Sequence, residues 1–343
     1  MKALHWLGIL ILLSAPSLWP ADELFDLKLV VPGVYAAIAK EQYKVNCNAA
    51  VILLDDAVLV VDTHSKPSAA RALQAQIKTV TDKPVRFVVN THFHWDHYQG
   101  NQAYLDTWPK DVQIISSQAT RESIEQRGIP RVKHEIVAVP KEIEKLKADL
   151  AQASDPQQKA TIQENLRQAE DYLEELKSMR VTLPTITFDR SLILYQKSRV
   201  VEILWLGRAH TDGDVFVYLP KEKVIASGDA LQGWMPYMGD GYPYDWIKTL
   251  ENAERLDFDY VIGGHGDVMR GKAQFELWRS YISDLMAETA DAYAQGATMA
   301  EAEKTVAAKL LPKYANRFPP QVFEQSVAGT IQKAYRVVSG STE

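Results

Sequence analysis

The sequence of 343 residues predicts a mixed α/β fold with one large domain or two. Short apolar runs bounded by turn residues are typical of buried strands, and longer amphipathic runs between them are typical of helices. Several predicted strands end directly before a loop that is rich in histidine, aspartate and glycine. A hydrophobic content of 46% suffices for a sizeable core, and a net charge of −6 provides no basic surface for a nucleic acid.

The N-terminus has the features of an export signal. Met1 and Lys2 form a short positive region, and residues 7–13 form an apolar core that is too short to span a bilayer comfortably. We therefore predict a signal peptide over residues 1–21, a periplasmic or secreted protein, and no stable membrane insertion after processing. A membrane anchor or a buried N-terminal helix is the alternative.

Strands and helices alternate over the next 200 residues. The predicted strands lie near 29–40, 49–54, 58–62 and 86–90, followed by a second β run at 186–226, and the predicted helices lie near 67–80 and 116–127. In the second β run, we expect hairpin turns at Asp189-Arg190 and at residues 220–223. The one cysteine of the chain, Cys47, begins a strand and is interpreted as a small buried residue.

Residues 140–180 are predicted to form an inserted pair of amphipathic helices. Apolar residues recur at helical spacing on both sides of Asp155-Pro156, and a proline at that point favours the start of a second helix. The polar face is rich in glutamate, lysine and glutamine. This face is either a solvated surface, or a lid or partner surface above a functional site.

The last 70 residues predict three further helices near 271–290, 298–311 and 320–337. Gly296, Leu311-Pro312 and Pro319-Pro320 separate these helices. The segment 271–343 therefore forms a predicted C-terminal helical extension. Because it carries none of the metal-binding patterns described next, we expect it to serve the structure or an oligomer contact.

A cluster of metal-ligand residue types lies at residues 92–97. The run Arg86 to Asn90 reads as a buried strand, and His92-Phe93-His94-Trp95-Asp96-His97 follows its C-terminal end. Imidazole nitrogens and carboxylate oxygens are ligands that zinc prefers. A sharp turn after the strand can direct His92 and His94 to one side and Asp96 and His97 to another, so one segment can serve two metal ions.

Three later loops carry the same residue types. His210 follows the apolar strand 200–206, Asp229 follows 224–226, and His265 follows 260–262, each with glycines beside it. Five of the 8 histidines of the chain thus belong to one set of loops that follow strands. A polar turn with incidental histidines does not account for this pattern.

These motifs identify the chain as similar to the metallo-β-lactamase-fold superfamily of metallohydrolases. The H-x-H-x-D-H motif corresponds to residues 92–97, and an aspartate that ends an upstream apolar strand corresponds to Asp62. The order and spacing agree across residues 30–270. The resemblance implies an αββα sandwich over a hydrolase domain at 22–270, with the 140–180 helical hairpin inserted in it.

The resemblance also implies seven side chains that hold two zinc ions. The first zinc ion would be bound by His92, His94 and His210. The second would be bound by Asp96, His97 and His265. Asp229 would bind both ions and bridge them. Asp62 would orient the motif loop from behind the ligands. Asp96 would in addition orient the attacking water or carry a proton to the leaving group.

Departures from the superfamily's subclasses narrow the expected chemistry. The best-known β-lactamase subclass has a cysteine ligand in place of Asp229, and Gln232 replaces the lysine that grips the drug carboxylate. An aspartate bridge resembles the glyoxalase II, lactonase and phosphodiesterase branches. His94 favours zinc over the redox iron of the flavodiiron branch, which usually carries glutamate at that position.

We therefore expect an exported zinc hydrolase that cleaves an activated carbonyl, such as that of an ester, thioester, lactone or lactam. A β-lactamase proper and a zinc-binding accessory protein without turnover are the alternatives. The aromatic loop 231–246 directly follows Asp229, so Trp234 and Tyr237 are candidate walls of the substrate pocket. Core packing is the competing interpretation of these aromatic residues.

Overall fold

Two β-sheets form the centre of the computed structural model, which describes residues 24–40 and 47–341. The strands are rich in valine, isoleucine and alanine, which pack well on pleated surfaces. The first sheet contains, in spatial order, β1 (Phe25–Val31), β2 (Val34–Ala39), β3 (Ala49–Leu53), β4 (Val58–Val61), β5 (Val85–Val89), β6 (Gln113–Ser117) and β7 (Ile186–Phe188).

The second sheet runs in the opposite chain order, from β13 to β8. Its strands are β8 (Ser191–Tyr195), β9 (Val200–Leu204), β10 (Phe216–Leu219), β11 (Val224–Gly228), β12 (Tyr260–Gly263) and β13 (Met269–Arg270). Most neighbours are antiparallel, but β4 to β7 are parallel to one another, and β11 is parallel to β12.

Helices cover the outer faces of both sheets. The helices are α1 (Pro67–Val80), α2 (Trp95–Tyr98), α3 (Asn101–Thr107), α4 (Gln118–Ser123), α5 (Ile129–Gln152), α6 (Pro156–Ser178), α7 (Pro243–Glu254), α8 (Ala273–Ala294), α9 (Met299–Tyr314) and α10 (Pro320–Ser339). Leu73 of α1 packs on the first sheet, whereas Trp246 of α7 and Trp278 of α8 pack on the second. Apolar side chains of both sheets, such as Val61 and Ile203, fill the layer between them. The predicted αββα sandwich is confirmed.

Two pairs of parallel strands bring the polar loops together at one edge of the sandwich. In the first sheet, Asp62 directly follows β4 and the 92–97 motif follows β5. In the second sheet, Asp229 directly follows β11 and His265 follows β12. Because parallel strands end at the same edge of a sheet, loops separated by as many as 200 residues meet there.

Several predicted elements are corrected by the structure. Asp189-Arg190 is not a hairpin turn, because β7 pairs with β6 in the first sheet and β8 pairs with β9 in the second. An apolar run does not reveal which sheet it joins. The 29–40 run is two strands with a turn at Pro32-Gly33, and the strand β6 replaces the start of the helix expected at 116–127.

The inserted helical pair is longer than expected. It begins at Ile129 rather than near residue 140, and Pro140 lies inside α5 despite the backbone hydrogen bond that a proline removes. Val132, Val139 and Ile143 pack against Leu176 of α6, so apolar contacts hold α5 on both sides of the proline. The break at Asp155-Pro156 is confirmed, and the Asp155 side chain accepts a hydrogen bond from the first turn of α6.

The predicted signal peptide lies outside the described residues, and the division into domains at residues 22–270 and 271–343 stays a prediction. Within the described ranges, every helix is too short or too polar to span a bilayer. The three C-terminal helices are longer than predicted, and α9 continues through Pro312 to Tyr314.

Arg199 joins the two sheets at the edge opposite the polar loops. It lies in the turn between β8 and β9, and its guanidinium donates hydrogen bonds to the carbonyls of Pro32, Gly33 and Leu53 in the first sheet. Its Nε donates to Glu222 at 2.9 Å, and only 9% and 10% of the two side chains are exposed. A buried ion pair is costly to break because the remaining charge stays without a partner.

We predict that Arg199→Ala lowers the free energy of unfolding by about 3–5 kcal/mol, since it leaves the Glu222 carboxylate buried without its cation. The matched control is Arg86→Ala, which removes an exposed pair with Asp56 and should cost less than about 1 kcal/mol. Urea unfolding measures both. Equal losses for the two variants would contradict the role of Arg199 as a link between the sheets.

Candidate metal centre

A network of buried amides and backbone groups fixes the 92–97 motif. Asn90, at the end of β5, donates to the carbonyl of His97 and to the amide oxygen of Asn101, and Asn101 donates back to Asn90 at 2.8 Å. The backbone N–H of Thr63 also donates to the carbonyl of His97. The one-turn helix α2 therefore sits in a defined position on the ends of β4 and β5.

Asp62 holds the motif from behind. Its backbone is left-handed, with φ at 63°, and its side chain is 2% exposed. One carboxylate oxygen accepts from the Thr91 N–H, and the other accepts from the Thr91 hydroxyl and from His97 Nδ1, each at 2.8 Å. His97 Nε2 is thereby left facing Asp96 and Asp229. This geometry agrees with the orienting role expected for Asp62.

In three further imidazoles, a hydrogen bond from one ring nitrogen determines that the other nitrogen carries the lone pair. The Thr91 hydroxyl gives its hydrogen to Asp62, so it accepts from His92 Nδ1 at 3.0 Å. His210 Nδ1 donates to the Tyr237 carbonyl at 2.9 Å, and His94 Nε2 donates to Asp240 at 2.8 Å. The remaining nitrogens, His92 Nε2, His94 Nδ1 and His210 Nε2, carry lone pairs and point into one space.

Two of these lone pairs face each other at close range. His94 Nδ1 and His210 Nε2 are 2.8 Å apart. With both hydrogens already donated elsewhere, neither nitrogen has one to offer the other, and a cation bound by both nitrogens would satisfy both lone pairs. Burial and neighbouring imidazoles lower the pKa of His210 to about 3 and the pKa of His92 well below its usual value. Neutral imidazole is the form that binds metals.

Asp229 lies between the two groups of predicted ligands. Its carboxylate oxygens are 3.7 Å from His210 Nε2, 3.5 Å from His97 Nε2 and 3.3 Å from His265 Nε2. Asp96 completes the second group, at 3.6 Å from His97 Nε2 and 3.5 Å from His265 Nε2. The structure thus brings all seven predicted ligands together.

The spacing between the carboxylates and the imidazoles fits metal ions better than hydrogen bonds. Two ligands that each lie about 2.0–2.1 Å from one tetrahedral zinc are about 3.3–3.4 Å apart, close to the carboxylate-to-imidazole distances of 3.3–3.7 Å found here. Among the described residues, His92 Nε2, His97 Nε2 and one oxygen of Asp229 are buried without a hydrogen-bond partner. A buried polar atom left in that state is costly unless an ion or water binds it.

The charge balance of the site also favours bound metal ions. Burial would lower the pKa of His97, but the carboxylates of Asp62, Asp96 and Asp229 raise it well above its usual value. The site therefore attracts positive charge.

The backbone at Gly264 lies close to Asp229, because a Cβ on Gly264 would lie 2.0 Å from the Asp229 carboxylate. A glycine is therefore required at this position.

Two residues of this centre were not found from the sequence. Asp240, in the aromatic loop, accepts from His94 Nε2 at 2.8 Å and from Arg127 at 2.7 Å. Arg127 precedes the helical insertion and stacks over the Phe93 ring at 4.3 Å. These contacts join chain segments more than 110 residues apart. Neither residue stands in a motif, so no spacing signal marked them.

Cys47 is buried, as expected, and it lies next to the centre. Its Sγ donates to the Asp96 carbonyl at 2.8 Å, and its own carbonyl lies 2.9 Å from His64 Nδ1. Burial raises the pKa of this thiol to about 12, so the group stays protonated and can donate. Cys47 therefore stabilises the backbone of the 92–97 motif through the hydrogen bond to Asp96.

A cavity of about 880 Å³ opens above the centre, and both aromatic residues proposed for the pocket line it. Trp234 stacks on His265, with ring centroids 4.9 Å apart, and Tyr237 lies 6.0 Å from the His94 ring. Phe93 and Trp95 of the 92–97 motif also line the cavity. Trp246 is fully buried in α7, so core packing is the right interpretation for that residue.

Comparison with known proteins finds the same superfamily that the sequence motifs resemble. A family model described as the metallo-beta-lactamase superfamily matches residues 43–265. A linear primary-alkylsulfatase from Pseudomonas sp. (strain ATCC 19151) is 22% identical over 297 residues, which covers 82% of this chain and 53% of the alkylsulfatase. A metallo-beta-lactamase type 2 from Elizabethkingia meningoseptica is 26% identical over 87 residues, which covers 24% of this chain and 35% of that enzyme.

A solved structure shows the same fold. The metallo-beta-lactamase from Pontibacter korlensis superposes with a TM-score of 0.55 at 15% identity, covering 76% of this chain and 99% of that chain. The matched region spans about half the length of the alkylsulfatase and about a third of the E. meningoseptica enzyme.

We predict that Asp240→Ala weakens metal binding by roughly 10- to 100-fold, because His94 loses the hydrogen bond that fixes its ring. Competition with a chromogenic chelator measures this affinity. Asp245→Ala is the matched control, since that carboxylate also pairs with an arginine, Arg208, but contacts no predicted ligand. Parent-like affinity in Asp240→Ala would show that the His94–Asp240 contact does not support a metal.

Proposed function

This chain belongs to the metallo-beta-lactamase superfamily, and we propose that it is a hydrolase that uses two zinc ions to cleave an activated carbonyl in a small molecule. Esters, thioesters, lactones and lactams share that chemistry. The observation that carries the proposal is the position of Asp229, whose carboxylate lies within 3.7 Å of one imidazole of the first ligand group and two of the second. A carboxylate shared in this way suits a pair of metal ions.

Two zinc ions bound by these side chains would ionise a water near neutral pH and polarise the oxygen of the scissile bond. The chain's own residues prepare that chemistry. Asp62, Thr91 and Asp240 hold three imidazoles in the tautomers that leave their lone pairs free. Asp96 faces the cavity with its carboxylate and is suited to hold the attacking water or to pass a proton to the leaving group.

The metal identity also rests on the ligand types. The ligand groups consist of five imidazoles, which are borderline ligands, and two carboxylates, which zinc also binds, and the described residues bring no thiolate into them. Neutral imidazoles with fixed tautomers are typical of zinc hydrolases. A zinc-binding protein without turnover is disfavoured, because Asp96 and the cavity leave room for a substrate beside the ligands.

The cavity favours a substrate other than a β-lactam antibiotic. Gln232, at the position where a lysine would grip a drug carboxylate, is 3% exposed and lines the cavity. Its amide is neutral, so it offers no charge to a carboxylate. Turnover of β-lactams stays the alternative within the same reaction class.

A second candidate function is the hydrolysis of a sulfate ester. In sequence, the match to the alkylsulfatase covers 82% of this chain, whereas the match to the E. meningoseptica β-lactamase covers 24% of it. A sulfate oxygen can be polarised by the same pair of ions as a carbonyl oxygen. Arg127 and Arg131 line the cavity and bring positive charge that suits an anionic group.

We further propose that the protein is exported, on the basis of the signal-like residues 1–21. Fractionation of cells that express the full chain tests this. Recovery of the uncleaved chain in the cytoplasm would contradict export without affecting the proposed chemistry.

A substrate panel tests the proposed function. We expect the zinc-loaded parent to hydrolyse at least one ester, thioester or lactone faster than nitrocefin, phosphodiesters or alkyl sulfates. A chelator should abolish the activity, and zinc should restore it. Preference for alkyl sulfates would establish the second candidate, and preference for nitrocefin would establish the β-lactamase. No zinc-dependent turnover of any of these would refute the proposal.

We predict that Asp229→Ala lowers kcat by at least about 100-fold and weakens metal binding, because it removes the side chain shared by both ligand groups. Asp267→Ala provides the matched control. Asp267 lies two residues from His265, but its carboxylate pairs with Lys28 at the surface, so parent-like kinetics are expected. If Asp229→Ala keeps parent-like kinetics and metal content, the carboxylate is not a ligand.

A further inference from the structure

One face of the C-terminal helix α10 lines the cavity above the metal centre. The cavity-lining residues of the helix follow one another within four positions, at Val322, Gln325, Ser326, Gly329, Thr330, Gln332 and Arg336. This spacing is that of a single helical face. The metal ligands His94, Asp96, Asp229 and His265 line the same cavity.

Contacts within the C-terminal region hold α10 in place. The Thr330 hydroxyl lies 2.7 Å from the Tyr281 hydroxyl of α8, and Gln332 donates to Glu303 of α9. Phe323 and Ala334 are buried in the core that α10 shares with α8 and α9. The face toward the cavity therefore has a fixed position relative to the sheets.

Gly329 stands in the middle of that face without a packing reason to be glycine. Its φ is not in the left-handed region, and a Cβ at this position would meet no atom within 4 Å. Glycine is the poorest helix former after proline. Gly264 is different, because a Cβ there would collide with Asp229. The fold requires Gly264, whereas the described residues do not require a glycine at position 329, where the missing side chain leaves open space on the cavity side of the helix.

The cavity has two sides of different chemistry. Trp234, Met235 and Tyr237 form an apolar and aromatic side next to the metal ligands, whereas Gln325 and Ser326 on α10 offer hydrogen-bonding groups. Its volume of about 880 Å³ is that of a site for a drug-sized molecule. A small ester or lactone ring would leave most of this space unfilled.

We propose that α10 forms the distal wall of the substrate site, and that Gly329 keeps open the space for a bulky, amphiphilic substrate. The apolar part of the substrate packs on the Trp234 side, next to the bond that is cleaved. Its hydrogen-bonding end reaches Gln325 and Ser326. The substrate class named here rests on the proposed function, but the position of the wall does not.

The test attaches groups of two sizes at position 329. The chain has one native cysteine, Cys47, which is 0% exposed, so a thiol introduced by Gly329→Cys is the expected target of thiol reagents. Methyl methanethiosulfonate adds a small group, and a pyrenyl maleimide adds a large one. Glu324→Cys is the matched control, because Glu324 is an exposed residue of the same helix that does not line the cavity.

The first readout is access to the metal, which needs no substrate. We expect the pyrenyl group at position 329 to lower the second-order rate constant of metal removal by 4-(2-pyridylazo)resorcinol roughly tenfold or more, and the same group at position 324 to leave it unchanged. The unlabelled variants should keep the parent's metal content. Equal rate constants for the two labelled variants would overturn the proposal.

The second readout is turnover of the best substrate class from the panel. We expect the methylthio group at position 329 to lower kcat/KM less than the pyrenyl group does. The pyrenyl group should lower kcat/KM for a bulky substrate roughly 10- to 200-fold. A short-chain substrate with the same scissile bond should lose less. Equal losses for both substrates would show that α10 does not select for size. If the parent turns over nothing, the proposed function fails while the metal-access comparison still decides the position of the wall.

Discussion

The accumulation of buried polar groups at one edge of the two sheets is the constraint on which this structure depends. Two carboxylates, Asp96 and Asp229, and five imidazoles share a space from which water is largely excluded. Burying an ionised group costs several kcal/mol unless a partner of opposite charge compensates it. Lone pairs that face each other across 2.8 Å, as between His94 and His210, add to that cost. Metal ions bound by these side chains would compensate the carboxylates and the facing lone pairs at the same time.

The remainder of the fold serves to hold that arrangement rigid. Asp62 takes a left-handed backbone conformation to reach His97, and Asn90 ties the motif to α3. Asp240 extends the support to the aromatic loop and, through Arg127, to the base of the helical insertion. The aromatic loop and the helical insertion are thereby connected by hydrogen bonds to the predicted metal ligands. The insertion and the C-terminal helix shape the cavity, while the strand ends position the ligands.

The sequence was sufficient to predict which side chains meet at this edge, because each stands beside a local signal. His92, His210 and His265 all follow an apolar strand, and parallel strands bring such loops to one edge. Asp240 and Arg127 had no such signal, because their contact depends on how two distant loops fold toward each other. The same limit applies to Asp189-Arg190, where an ordinary turn pattern marks the passage between two sheets. Packing against α8 and α9, which places Gly329 above the metal ligands, is equally invisible in a single sequence.

The central claim is that two metal ions share the Asp229 carboxylate. Its most direct test is an anomalous difference map, recorded at the zinc absorption edge from crystals of the zinc-loaded protein. We expect two peaks about 3.5–4 Å apart, one next to His92, His94 and His210 and the other next to Asp96, His97 and His265, both in contact with Asp229. A single peak, or two peaks of which neither contacts Asp229, would contradict this account.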